Sequence, residues 1–256
     1  MTRSRLWAVT LPVLGAVLAV GLWWLLTAAL HIDKFYVPSP ADVVETFLRT
    51  PRFLIQETWV TLQRVLIGFG IAVAGGLAVA IVLAASPTVE RMTMPVLAAV
   101  NAIPKVALAP LLLVWMGFGD APKIVMVILV SFFPVVVSTM AGLTSTPIEL
   151  RRLARSLKAS WRQTFVKVRL PWALPQIFVG LKVATPLAII GAVIGEVVNP
   201  DRGLGSVISG SGASNDTPLA FAALVLLAVL GVLLFYAVAL VERLLVPWAQ
   251  ALRSEE

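Results

Sequence analysis

Four stretches of 25 residues each, 6–30, 65–89, 124–148 and 217–241, contain no charged side chain. About 20 apolar residues suffice to cross the roughly 30 Å hydrocarbon layer of a bilayer, so each stretch is long enough to span with some tilt. No single soluble core hides that much apolar surface in a chain of 256 residues that is 59% hydrophobic. Only 13% of its residues are charged, against about a quarter in a soluble domain.

Two further apolar stretches, 92–119 and 170–195, hold one lysine each, Lys105 and Lys182, and are broken by Pro95, Pro104 and Pro110 and by Pro171, Pro175 and Pro186. Proline removes a backbone donor, which hydrocarbon tolerates only where protein or water satisfies the freed carbonyl. These are expected to be interrupted spans that face protein. The first stretch follows Arg3 and Arg5 as a signal peptide would, but its apolar core is too long, which favours a retained anchor. The expectation is therefore an all-α membrane protein with six spans, at about 6–30, 65–89, 92–119, 124–148, 170–195 and 217–241. With the N-terminus inside, the inner segments carry twelve Lys and Arg and the outer ones six. This bias places both termini in the cytoplasm.

The chain has no cysteine and a single histidine, His31. Disulfides, thiolate metal sites and multi-histidine centres are thereby excluded, and no metal-ligating set is expected. The net charge of +7 is read as the basic bias of cytoplasmic loops, not as a nucleic-acid surface.

The segment 144–171 carries two helix starts. Thr146-Pro147-Ile148-Glu149 offers a capping hydroxyl, a proline at the first helical position and a glutamate three residues after the cap. Ser160-Trp161-Arg162-Gln163 repeats the capping box. Between them Leu150, Leu153, Ala154 and Leu157 follow helical spacing, with Arg151, Arg152, Arg155 and Lys158 on other faces. A second short helix places Trp161, Phe165 and Val168 on one side and is expected to end at Leu170-Pro171. Periodicity alone leaves two readings open: amphipathic helices on lipid headgroups, or short helices laid into the groove of a soluble partner.

Further residues carry a resemblance. Leu170-Pro171-Trp172-Ala173-Leu174-Pro175, preceded by Ala154-Arg155-Ser156-Leu157 and Ala159-Ser160, resembles the signature of permeases from binding-protein-dependent importers driven by ATP-binding cassettes. Tyr36-Val37-Pro38-Ser39-Pro40, Pro104-Lys105-Val106-Ala107-Leu108-Ala109-Pro110, Trp115-Met116-Gly117-Phe118-Gly119, and Gly191 to Val198 followed by Gly203-Leu204-Gly205 agree in order. Together they look like the branch serving nitrate, sulfonates, taurine and the pyrimidine precursor of thiamine. The region 191–198 with 221–223 looks closest to members moving thiamine-pyrimidine or flavin-like heterocycles.

The resemblance implies the type I ABC importer permease fold over 1–256 as one transmembrane domain, in the inner membrane. It implies a non-catalytic subunit, a second permease copy, two ATP-binding cassette ATPase subunits that hold the ATP and Mg, and an extracytoplasmic solute-binding protein. It also favours the docking reading of the loop, with coupling helices over 147–168 and contacts from Glu149, Leu150, Arg151, Arg152, Leu153, Ala154, Arg155, Leu157, Lys158, Ala159, Ser160 and Trp161. Two residues depart from the family. Arg152-Leu153-Ala154 stands where Glu-Ala-Ala is common, and Lys158 where glycine is common. A non-glycine residue at a left-handed turn costs roughly 1–2 kcal/mol, so either Lys158 bears that strain or the turn is built differently.

Lys105, Lys182 and Glu196 lie inside or at the ends of spans, where a charge needs an explanation. Lys182 is expected to snorkel to the cytoplasmic interface. Glu196 is read as a structural residue, pairing with a basic group or meeting water, in preference to a gate. Lys105, beside a helix break, is a candidate for the solute path. Small residues in the second span, among them Gly68, Ala72 and Gly76, are read as intramolecular packing. The segment 201–212 is expected to be a glycine-rich outer turn. An ion-coupled secondary transporter would place acids at mid-membrane, and a membrane enzyme would cluster acids or histidines; neither pattern is present.

Overall fold

The computed structural model describes residues 2–248. Every regular element among them is helical: α1 (Thr2–Ala29), α2 (Pro40–Arg49), α3 (Pro51–Ala85), α4 (Pro87–Ala102), α5 (Lys105–Met116), α6 (Asp120–Thr144), α7 (Ile148–Ser156), α8 (Trp161–Thr164), α9 (Leu170–Val198), α10 (Leu204–Ser214) and α11 (Thr217–Leu245), with a π turn, Phe165–Arg169, joining α8 to α9. Four helices are long and apolar enough to cross a membrane: Pro51–Ala85, Asp120–Thr144, Trp161–Val198 and Thr217–Leu245. The pair Thr88–Ala102 and Lys105–Met116 supplies a fifth if it counts as one broken span, and Leu14–Ala29 is a shorter apolar stretch.

α6 is the centre of the bundle and packs most extensively against α9 and α3. Small residues set how closely the helices approach. A Cβ at Gly68 would stand 2.5 Å from Val127 Cβ, and one at Gly76 2.8 Å from Val135 Cγ1. At Gly191 it would meet the backbone of Met126 and Val127 at 2.8 Å. Gly68 and Gly76 of α3 therefore serve packing within the chain, whereas a Cβ at Gly70, another small residue of that span, would meet nothing within 4 Å. Val65, Val127, Ala188, Ala192, Leu204 and Ala223 form the core where α3, α6, α9, α10 and α11 meet. α7 lies at one end of α9 and α10 at the other, so a loop end and a far end are defined.

Several boundaries differ from those expected. α3 begins at Pro51 instead of 65, because Glu57, Thr61 and Arg64 are buried against neighbouring helices. Their charges did not end the helix. The third apolar stretch is interrupted, as its prolines imply: it breaks at Ile103-Pro104 with a bend of 87°. Proline at 104 leaves no donor for the ladder and biases Ile103 to extended backbone, as observed at φ −63°, ψ 128°. The proline-bearing α9 does face protein, but α4 buries none of its described residues and α5 only Ala109 and Leu112.

The segment after Arg202 is not a loop; α10 starts at Leu204 and takes Gly210 and Gly212 into its helix. At α2 Ser39 is the N-cap. The Ser39 hydroxyl oxygen accepts from the Asp42 N–H, and the Asp42 carboxylate accepts from the Ser39 N–H at 2.8 Å and from its hydroxyl at 2.6 Å. The Ser39 side-chain hydrogen bond, opposed by burial and helped by the Ser39 N–H and Lys34, holds the Asp42 carboxyl below its ordinary range. α1 is joined to the rest through the Trp23 indole N–H, which donates to the Pro38 carbonyl at 3.1 Å, and through its ring, 6.0 Å from that of Phe221.

Candidate functional site

The loop end is built on α7. The expected cap on Thr146 does not form: Pro147 is the N-cap residue, and the Thr146 hydroxyl turns back to the Leu143 carbonyl at 3.5 Å. Ala154 is buried and Leu150 half-buried, whereas Leu153 and Leu157 are exposed, Leu157 at 73%. The stripe read from spacing is thus divided, one pair facing the bundle and one facing out. Glu149, Arg151, Arg152 and Arg155 are exposed around it.

α7 ends in a Schellman motif. The Lys158 N–H donates to the Arg155 carbonyl at 2.9 Å and the Ala159 N–H to that of Ala154 at 3.0 Å. Lys158 sits in the left-handed region at φ 52°, so the turn keeps the shape glycine would give it and the lysine bears the strain. Lys158→Gly is expected to raise the thermal midpoint of the purified protein, because relief of about 1–2 kcal/mol exceeds the added unfolded-state entropy of about 0.5–1 kcal/mol. Lys158→Val should lower it; thermal unfolding of the two variants decides.

Ser160 then caps α8 reciprocally with Gln163. The Trp161 ring stacks on that of Phe165 at 5.4 Å and 12°. The second helix does not stop at Leu170-Pro171. A π turn, in which the Leu170 N–H donates to the Phe165 carbonyl, carries it into α9. Pro171 lacks the N–H that an α turn would give to the Lys167 carbonyl, and the wider turn passes the chain over that defect.

The far end holds a network of seven charged side chains, of which the sequence reading had singled out Glu196 alone. Glu57, Thr61 and Arg64 lie on one face of α3. Arg64 is 5% exposed and donates through Nη1 to Glu196 Oε1 at 3.0 Å and to the Arg202 carbonyl at 2.6 Å. Its Nε donates to Asp120 Oδ1 at 2.8 Å. Glu196, wholly buried, also accepts from the Thr61 hydroxyl at 3.0 Å and the Gly205 N–H at 2.8 Å. The fully buried Lys123 pairs with Asp201. Glu57 accepts from Arg202 at 3.2 Å and from the Gly203 N–H. Gly203 has φ 103°, and a Cβ there would stand 2.3 Å from the Glu196 carboxyl, so only glycine fits.

The chain after α9 is thereby pinned across α3, α6 and α9. Burial pushes the Asp201 carboxyl up, but the hydrogen bonds from Lys123 and the Arg202 N–H, with the charges of Lys123 and Arg64, outweigh it and hold the group below its ordinary range. A lowered carboxyl contributes stability above its unfolded value of about 3.9, lost as pH falls through the folded value. This pin is therefore intact at neutral pH.

The three intramembrane candidates each have separate partners. Glu196 belongs to the far-end network. Lys182 does not snorkel but pairs with Glu242 of α11 at 2.7 Å, the two side chains 17% and 14% exposed, because a charge near hydrocarbon gains more from a neighbouring carboxylate than from stretching toward water. Lys105 reaches back across the 87° bend, donating to the Asn101 carbonyl and to Asn101 Oδ1 at 2.8 Å.

The sequence profile described as "Binding-protein-dependent transport system inner membrane component" matches residues 70–247. The chain is 32% identical over 226 residues to the formylaminopyrimidine transport permease protein of Halalkalibacterium halodurans, covering 88% of this chain and 90% of that one. It is 38% identical to the riboflavin transport system permease protein of Chloroflexus aurantiacus, covering 84% and 81%. To the taurine transport system permease protein of Escherichia coli it is 30% identical, covering 94% and 90%. Its fold is similar to that of a chain of the inward-facing MetNI methionine ABC transporter, with a TM-score of 0.67 at 22% identity over 76% of this chain and 97% of that one.

Proposed function

The chain belongs to the family of binding-protein-dependent inner-membrane components, the permease subunits of ABC importers, and from that premise we propose how it works. Two copies form a central path, two ATPase subunits grip the loop ends, and a binding protein delivers solute to the far end. Six crossings, with α4 and α5 together as the third, leave both termini in the cytoplasm. The open face of α4 and α5, with Met92, Val96, Val114 and Trp115 exposed, is where the second copy meets the first.

The observation that carries this reading is the divided face of α7. Leu153 and Leu157 are exposed among Arg151, Arg152 and Arg155, on a helix held to the bundle by Leu150 and Ala154. A lever needs an outward grip and an inward anchor. The contacts Glu149, Leu150, Arg151, Arg152, Leu153, Ala154, Arg155, Leu157, Lys158, Ala159, Ser160 and Trp161 are assigned to it. ATP shifts the equilibrium between inward and outward states only through a difference in partner affinity for the two.

The named relatives divide between heterocycles and a sulfonate, and the solute proposed here is a small molecule of one of those classes. A chain without cysteine permits a direct test. Leu157→Cys, treated with a thiol–amine cross-linker in membranes, is expected to join the ATPase subunit, and Ser209→Cys on α10 is not. Cross-links to the ATPase from Ser209 alone would reverse the assignment, and the solute retained by the neighbouring binding protein would name the cargo.

A further inference from the structure

We propose that Arg169 is a positioning residue that transmits displacement of the loop to α3 and α6 by gripping the carbonyl ends of both helices. Its guanidinium donates to the Leu143 carbonyl through Nη2 at 3.1 Å and Nε at 3.4 Å, and to the Ala84 carbonyl through Nη2 at 3.4 Å. Leu143 lies in the last turn of α6 and Ala84 in the last turn of α3. Terminal carbonyls have no partner within their helix and carry the negative end of its dipole, so a cation bridging two such ends holds them at a fixed separation.

Among the described residues no carboxylate forms an ion pair with Arg169. Its partners are the two helix ends themselves, and Arg151 of α7 lies close enough to repel it.

The path into this clasp is continuous. Trp161 stacks on Phe165, and Phe165 packs on the cluster of Leu143, Ala173 and Ile177 that also receives Ala84. α7 lies against the π turn whose last residue is Arg169. At Gly142 a Cβ would meet the Ala173 carbonyl at 2.9 Å, so α6 and α9 are already in backbone contact there and cannot slide independently. α3 joins the same cluster through Leu77, Ile81 and Ala84 and packs on α6 through Ala80, Leu83, Val136 and Met140, and the hydrogen bond to the Ala84 carbonyl ties its last turn directly to Arg169.

The inference rests on the docking reading of the loop. The test uses the assembled complex of permease and ATPase subunits, with spin labels on Ser86→Cys at the end of α3 and Ser156→Cys at the end of α7, attached before the ATPase is added. With Arg169 present, the label separation is expected to be the same without nucleotide and with trapped ATP, because the two ends move together. In Arg169→Met the ATP state should show a changed separation, and the ATP-dependent preference for the closed state should weaken by about tenfold.

An unchanged separation in Arg169→Met, with the Leu157→Cys cross-link to the ATPase still forming, overturns the inference and leaves docking intact. Loss of that cross-link in the otherwise native chain overturns docking instead. Should Arg169→Met fail to assemble, Arg169→Lys decides. Its single ammonium cannot span both carbonyl groups as a planar fork does, so a native separation in that variant refutes the two-helix grip and an altered one supports it.

Discussion

Arg64→Met is expected to remove most of the folded protein from the membrane. The substitution leaves Glu196, wholly buried, without its cation. Stranding one member of a buried ion pair costs about 3–5 kcal/mol, a large share of the roughly 5–15 kcal/mol that holds a protein folded. Asp120 and the Arg202 carbonyl lose their donor in the same step.

Arg64→Lys should restore little, since an ammonium cannot serve the three directions the guanidinium serves. Arg64→Met combined with Glu196→Gln should recover a substantial part, because the neutral amide can still accept from Gly205 and Thr61. The yield of monodisperse protein after extraction, with its thermal midpoint, measures all three. Equal loss in the single and double variants would show that the charge pair is not the source of the effect.

Charge reversal of Arg151, Arg152 and Arg155 to glutamate is expected to abolish uptake while leaving the protein folded. None of the three forms an ion pair within the chain among the described residues, and all are exposed. Surface charges of that kind contribute within about 1 kcal/mol to stability, so the effect falls on the partner. Opposed like charges at an interface suppress association by several kcal/mol. ATP hydrolysis by the added subunits should persist without transport, or the subunits should fail to bind. Because Arg151 lies near Arg169, reversal at Arg152 and Arg155 alone separates docking from the clasp. Coupled transport at the native rate in that double variant would count against the docking of α7.

Much of the fold is legible because hydrocarbon imposes a coarse rule. Charge-free runs mark α1, the later part of α3, α6 and α11, and the capping box at Ser160 appears where the residues place it. What escaped is what depends on distant partners. Arg64 was counted as a loop charge, and nothing local to it announces Glu196, 132 residues away. The same holds for Lys182 and Glu242, 60 residues apart.

The spacing of Glu57, Thr61 and Arg64 on one helical face was available as a signal, but it was masked by the requirement that a span be free of charge. α10 was missed because glycine and serine read as turn formers, whereas Leu204 and Val207, buried between α9 and α11, make the segment a helix. The prolines did foretell a break in the third apolar stretch, though not its angle, which is set by the packing of α5 on α6. Lys158 shows the converse. Its left-handed backbone follows from the two hydrogen bonds that close α7, and no propensity for lysine would have put it there.

Accumulation of solute in liposomes holding the purified chain, with and without its ATPase subunits, separates these readings most directly. Uptake should appear only when the ATPase, ATP and the loaded binding protein are all present, and should vanish when the loop arginines are reversed. Accumulation by this chain alone, driven by an ion gradient, would contradict the assignment of 147–168 as the point where an ATP-consuming partner pulls.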